Sequence, residues 1–214
     1  MNAANFITAS FLLLLMVSAS SGQSIEQVKI GDQIWMKRNL NVSIFRNGDT
    51  IPKARTTEEW LKAGAEGKPA WCYYENDPGN GEKYGKLYNW YAVNDSRQLA
   101  PKGWHVATNE EWQTLVDYYG GRDVAGGPMK ETGTEHWKSP NTGATNEHGF
   151  SALPGGHRDT EGNFFNIRHY ATFWSSTKCS KNNAWKRHLS RGDMKVYIDC
   201  FNKIAGFSVR CIKD

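Results

Sequence analysis

Apolar and polar positions alternate along Val28-Lys29-Ile30 and again along Ile34-Trp35-Met36, with Gly31-Asp32 between them. Period-two alternation on both sides of a glycine-containing dipeptide predicts an opening β-hairpin within Ser24 to Leu40. Asn41 to Pro52 is a loop rich in Asn, Gly and Asp. Thr56 with Glu59 three positions on forms a capping box, which predicts a short helix ending near Gly64 to Gly67. Trp71-Cys72-Tyr73-Tyr74 reads as a buried strand, Asn76 to Glu82 as a turn-forming loop, and Leu87 to Val93 as an aromatic helix. A further capping box, Thr108 with Glu111, opens a helix carrying Trp112, Leu115, Val116 and Tyr119 at helical spacing. That helix stops at Gly120-Gly121.

From Arg122 to Glu147 the pattern dissolves into Gly, Thr, Asn and Pro. Short strands are then expected at Phe150 to Leu153, Phe173 to Ser176, Trp185 to Leu189, Val196 to Cys200 and Phe207 to Ile212. Helices in the first half and strands in the second define an α+β class, not a βαβ alternation. The expected plan is two or three helices packed on short, mostly antiparallel strands with long irregular loops.

The N-terminus changes the picture of where the chain acts. Phe11 to Val17 is an apolar run of secretory length, too short for a spanning helix, and small residues follow at Ser18 to Gly22. We expect residues 1–22 to be a signal peptide cleaved near Gly22-Gln23, and residues 23–214 to form a single secreted, periplasmic or cell-surface domain without a membrane span. No Lys or Arg precedes the apolar run, and no Cys stands at the cleavage point for a lipid anchor. The net charge of +4 is spread thinly, with no basic block, so nucleic acid is not an expected partner.

Four cysteines, Cys72, Cys179, Cys200 and Cys211, contain no CxxC pair, which removes zinc-ribbon and thioredoxin readings. Three pairings are open. Cys179 with Cys200 and Cys72 with Cys211 is preferred, because the first pair flanks a hairpin turning at Arg191-Gly192-Asp193. Strand parity with Val196 and Ile198 turns Cys200 inward, and parity with Phe207 and Val209 does the same for Cys211. Free buried thiols are the alternative.

Chemical motifs are sparse: there is no HExxH, GxSxG, P-loop or dinucleotide fingerprint, and the six histidines never fall at ligand spacing. Two oxygen-rich segments are candidates for calcium, one with Asn76, Asp77, Asn80 and Glu82 and the other with Asp159, Glu161 and Asn163. Ordinary turn chemistry needs the same residues. Nine tryptophans and nine tyrosines are the louder signal. Those in polar surroundings, Trp137, Tyr170 and Trp185, are the candidates for stacking on sugars or anchoring a protein contact.

Six blocks carry a family likeness: Gln33 to Leu40, Lys83 to Trp90, Gly103 to Trp112, Gly149 to Arg158, Phe173 to Thr177 and Gly206 to Cys211. In this order they resemble the Fibrobacter succinogenes major paralogous domain, a family of secreted bacterial proteins. The resemblance implies a C-type-lectin-like fold, shared with formylglycine-generating enzymes. In that enzyme branch a close cysteine pair binds copper; here Cys179, Cys200 and Cys211 are 21 and 11 positions apart. In the lectin branch Glu-Pro-Asn or Gln-Pro-Asp motifs bridge calcium and sugar, and this chain has neither. The expected function is therefore a non-catalytic binding module for a glycan or cell-surface partner, with Trp137, Arg158, Tyr170 and Trp185 lining the site and calcium as a candidate cofactor. A formylglycine-generating-type oxidase relative and a structural surface protein are the alternatives.

Overall fold

The computed structural model describes Met1 and residues 25–214; the expected leader after Met1 lies outside the described residues. The opening hairpin forms as its alternation predicts, with β1 (Gln27–Ile30) and β2 (Gln33–Met36) joined through Gly31-Asp32. α1 (Thr57–Ala65) starts on the expected capping box: Thr56 accepts from the Glu59 amide and the Glu59 carboxylate accepts from the Thr56 amide.

The next segment departs from expectation. The strand at Trp71 is short, β3 (Trp71–Cys72), and a 3-10 turn follows at Tyr74–Asn76. The supposed loop at Asn76 to Glu82 is mostly helix, α2 (Pro78–Tyr84), capped by Asp77 with Pro78 in its first turn. Gly81 is required inside it, because a Cβ there would lie 2.2 Å from the Tyr73 ring. The aromatic run at Leu87 divides into β4 (Leu87–Tyr88) and a single turn, α3 (Trp90–Val93), with Asn89 accepting from the Ala92 amide at the boundary.

After β5 (Trp104–Val106), α4 (Asn109–Tyr118) opens on the Thr108–Glu111 capping box and ends before Gly120 and Gly121, both at positive φ. A short α5 (Gly126–Met129) interrupts the long loop. Two strands not anticipated from the pattern follow, β6 (Gly155–Arg158) and β7 (Phe164–Ile167). The stretch from Phe150 to Leu153 supplies only a bridge from Ala152 to Lys130. The remaining strands are β8 (Tyr170–Lys178), β9 (Asn183–Ser190), β10 (Val196–Asn202) and β11 (Cys211–Lys213).

The strands assemble as β1-β2-β11-β5, as β10-β9-β8-β6-β7, and as the pair β3-β4; all ladders are antiparallel except β6 with β8. The fold is thus α+β, with short helices packed on mostly antiparallel sheets. Trp35, Trp112, Phe150 and Phe173 form one aromatic core, with Trp35 and Trp112 centroids 4.9 Å apart. Trp90, Trp174 and Phe207 belong to a second core. Arg210 ties the C-terminal segment to the hairpin: its buried guanidinium donates to the carbonyls of Met36, Phe150 and Ser151 and to Asn39. Among the described residues no helix is long and apolar enough to cross a membrane.

One cysteine expectation holds and one is corrected. Cys179 and Cys200 are disulfide-bonded, Cα atoms 6.3 Å apart, across the base of the β8–β9–β10 ribbon. Cys72 and Cys211 are free. They cannot join because Cys72 sits on β3 in a core with Trp60 and Leu87, whereas Cys211 sits on β11 in another core with Val106 and Trp174. Burial pushes the Cys72 thiol up to about 11, and Cys211 is raised by the same cause. Parity misleads for Cys200, which is exposed although Val196 is buried.

Candidate functional site

The five-stranded sheet has one face on which side chains of all five strands fall into a single row. Register aligns Tyr197 on β10 with His188 on β9, and His188 with Thr172 on β8. Gly156 pairs with Ala171, so its neighbour His157 stands beside Thr172 on the same face, and His157 pairs with Phe165 on β7. Ring contacts agree with this register. His188 stacks flat on Tyr197 at 4.5 Å and touches Tyr170 at 5.4 Å, while His157 lies 6.1 Å from Phe165.

Gly156 makes the row continuous. Its φ is +64°, and a Cβ there would meet the Ile167 nitrogen and Phe165 oxygen at 2.6 Å. No other residue lets β7 approach β6 closely enough to set Phe165 beside His157.

A charged pair lies directly beside this row. Lys186 Nζ donates to Asp199 Oδ2 at 2.9 Å and to His188 Nδ1 at 3.0 Å. An ammonium only donates, so Nδ1 of His188 is unprotonated and the ring proton sits on Nε2. Burial, reinforced by the Lys186 charge, pushes both His157 and His188 down to about 4. Both rings are neutral near pH 7. Burial also lowers the Lys186 pKa, against the hydrogen bond and charge of Asp199. At Asp199 burial acts upward, but the Lys186 hydrogen bond and charge outweigh it and the carboxyl is held low.

Exposure is highest at the two ends of this arrangement. The Asp199 side chain is 52% exposed, against 9% for Lys186. Phe165 is 47% exposed, Tyr170 and Tyr197 are half-buried, and Thr172 forms the buried middle. The Tyr197 hydroxyl donates to Asp193 at 2.9 Å, which anchors the ring from the β9–β10 turn. The Nδ1 atom of His157 is buried with no hydrogen-bond partner. Aromatic faces beside a held donor and acceptor can stack a sugar ring and bind its hydroxyls.

Of the four ligand residues expected from sequence, this face contains Tyr170. Trp137 and Arg158 are corrected to interior residues. Trp137 is fully buried and donates to the Ala152 carbonyl at 3.0 Å. Arg158 is 1% exposed; it donates to the carbonyls of Ala54, Thr56 and Gly162 and is sandwiched between Trp60 and Phe164. Trp185 is half-buried but pairs with Cys200 on the opposite face of the sheet from His188.

The side chains of the two oxygen-rich segments take part in turn and cap chemistry. Asp77 accepts from the Gly79 amide as the α2 cap, while Asn76 and Asn80 donate to the Arg55 and Tyr74 carbonyls. Asp159 Oδ1 accepts from the amides of Glu161 and Asn163. Glu82, Glu161 and Asn163 are exposed and do not converge with a second carboxylate. Among the described residues no three His, Cys, Asp or Glu side chains gather to hold a metal ion.

His157, Phe165, Lys186, His188, Tyr197 and Asp199 were not singled out from the sequence. The available signal was period two: Lys186 and His188, Tyr197 and Asp199, and Tyr170 and Thr172 each sit two apart on a strand.

Fold and face together describe an α+β domain presenting an aromatic and polar sheet surface. The chain belongs to the Fibrobacter succinogenes major domain family, which it matches over residues 28–213. No curated protein and no solved structure matches it.

Proposed function

We propose that this protein is a secreted, non-catalytic binding module of C-type-lectin-like architecture that recognises a cell-surface glycan through the Tyr197–Phe165 face. The observation that carries this reading is the row of half-exposed aromatic rings beside the Lys186–Asp199 pair. Stacking supplies contact area and the ion pair supplies directed hydrogen bonds, the combination a polyhydroxylated ring needs. Both histidines are neutral near pH 7 and add hydrogen-bonding capacity without charge.

The oxidase alternative lacks its donor set. Cuprous copper takes two soft thiolate ligands at one position. Cys72 and Cys211 lie in separate cores with thiol pKa values raised by burial, and Cys179 and Cys200 are oxidised to each other.

A glycan array on the purified protein, run with calcium and again with chelator, tests the proposal. Binding that survives chelation and is lost in Lys186→Met and Tyr170→Ala variants of unchanged melting temperature is the expected result. Loss of binding on chelation would point to calcium bridging instead. Absence of binding to every glycan would overturn the reading and favour a protein partner or homotypic surface contacts, which light scattering at rising concentration separates.

A further inference from the structure

We infer that this face takes a neutral oligosaccharide lying across the strands, in preference to a single sugar ring or an acidic glycan. The inference rests on the glycan-binding reading above and deepens it through two properties of the row, its length and its charge.

Length comes from the register. Tyr197, His188, Thr172, His157 and Phe165 occupy five successive strands on one face. Four inter-strand steps of about 4.8 Å separate Tyr197 from Phe165, so the row spans about 19 Å. One pyranose ring cannot touch both ends, whereas a chain of several rings laid perpendicular to the strands touches both. The aromatic side chains stand where such a chain needs stacking surfaces: Tyr197 on the β10 edge, Tyr170 on the central strand β8 and Phe165 on the β7 edge. Thr172, 4% exposed, lies between them on the central strand.

Charge comes from the groups around the two imidazoles. His157 feels the charges of Lys186 and Asp159, and His188 those of Lys186, Asp199 and Asp193. One lysine therefore stands against three aspartates, and that lysine is already hydrogen-bonded to Asp199. A carboxylated or sulfated sugar would bring a further negative charge against three carboxylates, with Lys186 already held by Asp199 and His188 and with the exposed Arg122 facing Asp199. A neutral chain meets no such repulsion. Its hydroxyls can accept from His188 Nε2 and donate to Asp199.

The test is a chain-length series of β-1,4-linked gluco-, manno- and xylo-oligosaccharides, one to six units long. Oligogalacturonates of matched length serve as acidic counterparts. Calorimetry or intrinsic fluorescence gives the affinities. Affinity for a neutral series should rise at least tenfold from one unit to four and then level off, with oligogalacturonates at least tenfold weaker. Phe165→Ala and Tyr197→Ala, both at partly exposed positions, should each remove most of the gain from chain length. Melting temperatures and circular dichroism establish that these variants are folded. Equal affinity for one unit and four, or tighter binding of the acidic series, would overturn this inference and leave the glycan-binding reading intact. Failure of every neutral and acidic oligosaccharide here and on the array would remove the reading itself.

Discussion

The imidazole of His188 lies flat against the phenol of Tyr197, centroids 4.5 Å apart and planes 4° from parallel. The Tyr197 hydroxyl is held by Asp193, and the imidazole Nδ1 by Lys186, so each ring of the stack is fixed by a hydrogen bond of its own. Tyr197→Leu should lower glycan affinity about tenfold, which corresponds to about 1.4 kcal/mol. Tyr197→Phe keeps the ring and should stay within threefold of the parent. An equal loss in both variants would show that the hydroxyl, not the stacking face, matters.

Acid should weaken this face and the fold together. The native pKa values of His157 and His188 are depressed to about 4 from 6.5, so between these values the unfolded chain binds more protons than the native one. Stability must therefore fall as pH drops from about 6.5 to about 4, with no further change from these two rings below that window. Binding should be flat from pH 6 to 8 and fall toward pH 4, where an imidazolium would face the Lys186 ammonium. A binding profile that stays level down to pH 4 would contradict this arrangement.

Trp137 separates a packing role from a binding role. Its ring is fully buried, and its Nε1 is used by the Ala152 carbonyl. Trp137→Ala should destabilise the protein by about 3–5 kcal/mol. Binding per folded molecule, measured well below the melting temperature, should remain within about twofold of the parent. A selective loss of affinity with unchanged stability would return Trp137 to the site.

The cysteines make a prediction of their own. The native protein should show no thiol that reacts rapidly with an alkylating reagent, and two after unfolding, because Cys72 and Cys211 are free but buried. Replacing both Cys179 and Cys200 by Ser opens a loop of 21 positions and should cost about 3 kcal/mol in the chain-entropy treatment. Four reactive thiols in the unfolded, unreduced protein would exclude the Cys179–Cys200 bond.

What the sequence disclosed follows from how local each signal is. The β1–β2 hairpin and both capping boxes are decided within a few residues, so Gly31-Asp32, Thr56 with Glu59, and Thr108 with Glu111 could be read directly. β6 carries no alternation of its own, since it opens on Gly155 and Gly156, and Gly156 is there to admit β7. Trp137 sits between charged neighbours and reads as surface, yet its partner Ala152 lies 15 positions away. The binding face was the least legible feature. Its residues run from His157 to Asp199 and become neighbours only through the register of five strands.

His105 supplies a pH dependence of opposite sign. Its Nδ1 is 2.8 Å from Asp214 Oδ1 and its Nε2 is 2.7 Å from Glu111 Oε1. Ionised carboxylates only accept, so both contacts are hydrogen bonds only when the ring carries two protons. Burial acts to lower the His105 pKa, but the hydrogen bonds to Asp214 and Glu111 outweigh it and the value is raised above 6.5. The stability this ring contributes is therefore fully present below 6.5 and is lost as pH rises through the raised native pKa. The side chain is 38% exposed, so the contribution is about 1 kcal/mol or less after solvent screening. His105→Gln should accordingly lower the melting temperature by at most about 2–4 °C at pH 6, and the gap should close toward pH 9. The comparison is made between parent and variant at each pH, so that His157 and His188 cancel. A gap that stays constant from pH 5 to 9 would show that the ring is held by packing alone and that the β5–α4–β11 junction does not sense protons.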